Sequence, residues 1–249
     1  MSSDVLIQEA LRVLTSILCF FIAVQLGGRE LTEPGDRLAW KAFRIWWAGL
    51  GVTTFISVLN AILPLLGITQ LAVYLAITQL NILVLCIALW GLLSYLIYLY
   101  TGKVNWTRYL AVFYFLFFLA LVFYILSQEP TSVVVEGGVA SIRYARELGP
   151  AYILALTLVL LVPELLASLA YFSFYFRVKE RTQKYRVLLV SASIFVWFSS
   201  PLVAQVLDIS DLDWWQLASR LITLSAALVI YWAYYPPKFL QERLQVAPI

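Results

Sequence analysis

Glu164 is the residue whose type and position most invite chemistry. It sits in LVLLVPELLASLA, an otherwise apolar stretch, directly after Pro163. An ionisable group near the centre of a bilayer costs about 2.5–3.5 kcal/mol on insertion scales, so one kept there has a task or a partner. A proline inside a helix has no N–H for the carbonyl one turn back, and its ring crowds that carbonyl. Pro163 and Glu164 therefore set a carboxyl group beside a kink. That arrangement serves as a ligand contact, a proton site or a hinge. It serves equally as a neutral glutamate hydrogen-bonded to a neighbouring helix for cohesion.

Arg220 comes second, about two turns into the last apolar segment. Either it snorkels to the outer surface along its aliphatic stem, or it turns inward and pairs with Glu9, Asp208 or Glu164. The uncharged residues Asn60, Gln79, Asn81, Ser199, Ser200 and Gln205 fall at one depth, the outer half of their segments. Polar groups in lipid face the bundle interior or a wet cavity. These outline an outward-open cavity, or else interhelical hydrogen bonds worth about 0.6 kcal/mol each. Ser199-Ser200-Pro201 marks a second kink.

Other chemistry is excluded by absence. The sequence has no histidine, which removes histidine metal sites, Ser-His pairs and histidine proton relays. Every aspartate lies in a loop or terminus, and no HExxH or phosphate-cradling glycine loop occurs. Cys19 and Cys86 sit in mid-segment and read as small buried hydrophobes. No catalytic residue, metal, cofactor or nucleic-acid partner is expected. A retinal Schiff base needs a lysine in the last span, whereas Lys41, Lys103, Lys179, Lys184 and Lys238 all fall at the inner face.

The elements that position these residues follow from composition. The chain is 63% apolar and 12% charged, against roughly 45–50% and about 25% in soluble domains. Such a chain takes the bilayer as its solvent. Ile45 to Gly102 is a run of 58 residues without a charge. As helix it would extend about 87 Å, nearly three times a hydrocarbon core of about 30 Å. It therefore crosses twice, turning at Leu63-Pro64-Leu65-Leu66-Gly67. The whole sequence predicts an all-α single domain over residues 1–249. Its seven spans lie at about 6–27, 40–61, 71–100, 108–127, 151–176, 186–207 and 214–235. The fourth, rich in aromatics all round, is expected to face lipid and pack on one neighbour.

Orientation follows from the basic residues. Thirteen of the seventeen lie on one side: Arg29, Arg37, Lys41, Arg44, Lys103, Arg108, Arg177, Lys179, Arg181, Lys184, Arg186, Lys238 and Arg243. An odd number of spans then puts the N-terminus outside and the C-terminus in the cytoplasm. Trp40, Trp46, Trp47, Trp106, Trp232, Tyr234 and Tyr235 fall near the inner interface, and Trp214 and Trp215 near the outer one. They read as an aromatic belt. Outside, Val133-Val134-Val135, Glu136-Gly137-Gly138 and Val139 onward predict a glycine-turn hairpin, either a plain surface loop or a lid. The acidic loop Asp208–Asp213 is expected to cap the helix beginning at Trp214.

In helix count, orientation and the exit sequence YWAYYPPKFLQERL, the chain resembles the seven-helix N-terminal sensor modules of bacterial histidine kinases and related signalling proteins. The resemblance implies a sensor. The sequence ends at Ile249 without a kinase or cyclase, so such a sensor is expected to need a partner. The expected function is a non-enzymatic, receptor-like sensor in a prokaryotic cytoplasmic membrane. It would bind a small or lipidic ligand in an outward cavity near Asn60, Gln79, Asn81, Glu164, Ser199 and Arg220. Pro163 and Pro201 would be its hinges, and the Arg177 to Arg186 loop would meet a cytoplasmic or membrane protein. The alternatives are a small-solute or proton-coupled transporter using Glu164, and a structural subunit of a larger membrane complex. Genomic neighbours would discriminate best.

Overall fold

A computed structural model describes residues 3–28, 34–103, 105–136, 138–146, 148–207 and 213–244. Among these, seven helices are long and apolar enough to cross a membrane. The chain forms two compact units, Met1–Leu160 and Leu161–Ile249.

The first unit contains α1 (Ser3–Gln25), α2 (Pro34–Leu65), α3 (Leu71–Thr101) and α4 (Trp106–Ser127). A hairpin follows, β1 (Pro130–Glu136) and β2 (Val139–Tyr144), and then α5 (Pro150–Leu156). One π-helical turn, Thr157–Leu161, joins α5 to α6 (Val162–Arg177), the first helix of the second unit. The second unit continues with α7 (Arg181–Val206), α8 (Asp213–Tyr234) and a short α9 (Lys238–Leu244).

The spans fall where the apolar runs place them. Two begin early: α2 starts at Pro34 rather than near residue 40, and α7 at Arg181 rather than near 186. Apolar length marks the slab a helix crosses, whereas hydrogen bonding carries the helix on past it. The α2–α3 turn lies where Pro64 and Gly67 predict it. Gly67 has φ 74°, a left-handed conformation that glycine adopts without a Cβ clash.

Small residues let α2 and α3 approach closely. A Cβ on Gly91 would lie 2.5 Å from the Ala42 carbonyl oxygen, and one on Gly49 would lie 2.6 Å from the Ala88 Cβ. Close approach of this kind drives helix association where lipid tails are as apolar as the side chains. Beside it, Phe43 stacks on Tyr95 at 4.5 Å between ring centroids, and Trp46 meets Trp47 at 4.5 Å. Trp46 and Trp47 are 0% exposed. They belong to the core of this unit and not to an interfacial belt. Trp106, Trp214 and Trp232 are exposed, as belt residues are, while Tyr234 is buried. Depth along a helix says nothing of the direction a side chain takes.

The C-terminal end of α1 is closed by α2. Arg44 donates its Nε–H to the Ala23 carbonyl (3.0 Å), and Trp40 its Nε1–H to the Leu26 carbonyl (2.6 Å). A cation over orphan carbonyls also matches the negative end of the helix dipole. Arg44, read as an orienting loop charge, is thus half-buried and structural.

α4 packs on α3 through the stripe Tyr114, Leu121 and Ile125 and leaves Phe113, Phe115, Leu116 and Phe123 exposed. The hairpin forms as its glycine turn predicts, with Glu136 opposite Val139 and Val135 opposite Ala140. Gly138 has φ 91°, and Gly137 lies outside the described residues. β2 packs on α2, and both strands pack on α3. Ala140 is buried there, so the hairpin is part of the first unit's packing. Burial also raises the Tyr144 phenol above its ordinary range.

Candidate functional site

Glu164 stands in the first turn of α6 and is 3% exposed. The helix around it departs from α geometry. Pro163 would set its ring against the carbonyl four residues earlier, that of Val159. The π turn Thr157–Leu161 spans this place, and a wider turn relieves the clash while leaving the carbonyl without its usual donor. In the first unit, the Tyr114 hydroxyl of α4 donates to the Val159 carbonyl at 3.4 Å. The expected proline kink is therefore a π turn with a hydroxyl from another helix at the orphan carbonyl.

In the second unit, α6 packs on α7 and α7 on α8. Arg220 is half-buried on α8, and its carbonyl accepts the Thr223 hydroxyl at 3.0 Å. Ser199 is half-buried on α7, and its hydroxyl donates within its own helix to Val196 at 3.2 Å. Ser200 beside it is the buried one. Further buried serines follow: Ser168 on α6, and Ser191 and Ser193 on α7. Ser168 and Ser191 donate to carbonyls of their own helices at 2.7 Å. Pro201 lies within α7, which runs on to Val206. The side chain of Gln205, and Asp208 and Asp211 with the expected helix cap, lie outside the described residues.

Asn60, Gln79 and Asn81 lie in the first unit, each half-buried. Gln79 and Asn81 share a depth but not a face. Two positions along an α-helix turn through about 200°, so they point to nearly opposite sides. The Oδ1 of Asn81 is buried with no hydrogen-bond partner. Equal depth does not gather these residues.

The first unit also holds a polar group that depth alone did not reveal. Gln8, Glu9, Thr15 and Ser16 are buried on α1, with Arg12 half-buried between them. Their spacing, 8/9/12/15/16, is that of a single helix face. Arg12 and Glu9 form an ion pair, Thr15 donates to the Leu11 carbonyl (2.8 Å), and Ser16 donates to the Gly51 carbonyl of α2 (2.8 Å). Glu9, one of the carboxylates expected for Arg220, pairs with Arg12. The 3.6-residue period of these polar positions was the available signal.

Cys19 and Cys86 are free and buried. Among the described residues no group of three or more histidine, cysteine, aspartate or glutamate side chains is placed to hold a metal. No family model matches the chain, and no curated protein matches it.

Proposed function

We propose that this chain is a non-enzymatic, receptor-like sensor that lies in the membrane with its N-terminus outside. Its ligand, small or lipidic, enters from outside and meets Glu164 and Arg220, with Ser199 nearby in the same unit. Asn60, Gln79 and Asn81, half-buried in the first unit, are not assigned to this ligand. The observation that carries this reading is the buried Glu164 next to a π turn and Pro163. Turns of this type inside α-helices recur at functional sites. A sensor needs an element with two arrangements close in energy. A helix whose own proline cannot satisfy the Val159 carbonyl meets that need, with Pro201 as a second place of bending. The output face is the Arg177 to Arg186 segment, the end of α6, the three residues after it and the start of α7, where Lys179, Glu180 and Arg181 are exposed, and its partner is a cytoplasmic or membrane protein.

Orientation is tested with single cysteines and a membrane-impermeant thiol reagent. Ser132, Ser141 and Gln183 are exposed positions, while the native Cys19 and Cys86 are buried and give little background. Cysteines at Ser132 and Ser141 should label on intact cells, and one at Gln183 only after lysis. The reverse pattern discards the orientation.

The buried carboxyl also suits a proton-coupled transporter, so the decisive measurement is proton flux. Purified protein in liposomes should pass no more protons than empty vesicles across a panel of small solutes, and Glu164→Gln should not change this. Wild-type flux that the glutamine variant loses replaces the sensor with the transporter. Without flux, capture of a cytoplasmic partner that depends on the Arg177 to Arg186 segment favours the sensor over a structural subunit.

A further inference from the structure

The first unit holds a groove in two parts that share Trp90 as a wall. One part, about 180 Å³, is lined on α2 by Leu38, Lys41, Ala42 and Ile45, and on α3 by Trp90, Ser94 and Tyr98. A second part, about 300 Å³, shares Trp90 and runs between α3 and α4 over Cys86, Ile87, Ala111, Tyr114 and Phe115. Together they match the size of small-molecule sites, about 300–1,000 Å³. The two parts differ in character. The second is almost wholly apolar. The first has a lysine, a serine, a tyrosine and Thr107 among its walls.

Ser94 is the odd member. Serine and threonine hydroxyls in these helices donate to carbonyls one turn back, as Thr54, Ser57 and Ser191 do at 2.7, 3.0 and 2.7 Å. Ser94 is 2% exposed, and its Oγ has no partner. A buried hydroxyl left so carries a desolvation penalty that a bound acceptor removes. Trp90 is fixed where the two parts meet, its Nε1–H donating to the Thr107 carbonyl at 2.8 Å.

The end of the unit where the groove begins is basic. The start of α2, the end of α3 and the start of α4 bring Arg37, Lys41, Arg44, Lys103 and Arg108 there. Asp36 is the carboxylate among the described residues at that end, and it accepts the Tyr98 hydroxyl at 2.8 Å. Arg44 is engaged at the end of α1. Arg37, Lys41, Lys103 and Arg108 are exposed. A cationic rim, one buried hydroxyl below it and an apolar channel beyond is the order of groups along an anionic phospholipid. Basic pockets between spans bind such headgroups.

We propose that this groove holds one anionic phospholipid from the leaflet at the basic end. Its phosphate lies against Lys41, its glycerol ester accepts the Ser94 hydroxyl, and one acyl chain runs past Trp90 along α3 and α4 over Cys86 and Tyr114.

The test uses the full chain in a neutral detergent and native mass spectrometry. The probes are phosphatidylglycerol, phosphatidylcholine with the same acyl chains, and inorganic phosphate. The wild type should retain one phosphatidylglycerol in preference to phosphatidylcholine, and phosphate should not compete. Lys41→Gln, at an exposed position that leaves the fold alone, should weaken phosphatidylglycerol by about fivefold and leave phosphatidylcholine unchanged. Ala111→Trp, which fills the apolar part, should lower retention of both lipids, with the melting temperature in lipid-free detergent checked beside it. Lys238→Gln, at an exposed position in the second unit, should change nothing. Equal binding of the two lipids, unsaturable binding of many lipids, competition by phosphate, or phosphatidylglycerol binding untouched by Lys41→Gln and by a folded Ala111→Trp overturns the proposal.

Discussion

Gly91→Val is expected to unfold or gravely weaken the first unit. The valine Cβ would stand 2.5 Å from the Ala42 carbonyl oxygen and 3.1 Å from the Trp46 nitrogen, both backbone atoms of α2. No rotamer change relieves a clash with backbone, so α2 must move off α3. That movement opens the cluster of Phe43, Trp46, Trp47 and Tyr95, which is packed at the same level. Overpacking a core typically costs about 1–3 kcal/mol, and Gly91→Ala should already reach that range. Valine, with two further methyl groups, should exceed it. Gly102→Ala is the reference. Gly102 also has a positive φ, 63°, but nothing lies within 4 Å of its Cβ position, so that variant carries backbone strain alone, about 1–2 kcal/mol. Denaturant unfolding in mild detergent compares the three. Equal stability of Gly91→Val and wild type would remove the α2–α3 interface described above.

Arg12→Met is expected to cost nearly as much. Glu9 and Arg12 are ion-paired one turn apart, with side chains 9% and 16% exposed, and the second carboxyl oxygen of Glu9 has no hydrogen-bond partner. Methionine keeps the stem of Arg12 and removes its charge. Breaking a buried pair from one side costs about 3–5 kcal/mol, because the remaining charge loses its counterion; the slight exposure here places the expectation at the lower end. Glu9→Gln with Arg12→Met removes both charges, and the double variant should regain most of the loss. A coupling energy of about 0.5–3 kcal/mol is the mark of residues that act together. If the two single losses simply add, the pair contributes nothing specific and the α1 face is held by Thr15, Ser16 and packing alone.

The spans were legible because bilayer thickness sets a length that an apolar run either reaches or does not. The charge-free run from Ile45 to Gly102 forced two helices, and Pro64 with Gly67 placed the turn. The hairpin was legible for a similar reason: a pair of glycines between β-branched runs leaves few other geometries. Sites were harder, because depth and direction are separate coordinates. Asn60, Gln79 and Asn81 were grouped by depth, yet Gln79 and Asn81 point apart. Trp46 and Trp47 were placed at an interface by depth, yet they are core. The α1 polar face is readable from the 8/9/12/15/16 spacing, but Glu9 was weighed by depth alone, as a partner for Arg220. The π turn is the opposite case. Pro163 announces a disturbance but not its form, since relief by a kink or by a wider turn depends on a neighbour such as Tyr114 to meet the freed carbonyl.

The one-sided packing of α4 has a consequence for how freely its composition can drift. About half of its residues are exposed, and lipid tails would not distinguish one apolar side chain from another of like size there. Phe113, Phe115, Leu116 and Phe123 can therefore exchange among aromatic and aliphatic types with little effect on the fold, and the helix stores variation at no structural risk. Tyr114, Leu121 and Ile125 are held to shape, and Tyr114 to its hydroxyl as well, since the bond to Val159 needs a donor that phenylalanine lacks. The helix with the highest hydropathy of the seven is thus the one whose letters carry least information, except along a stripe three residues wide.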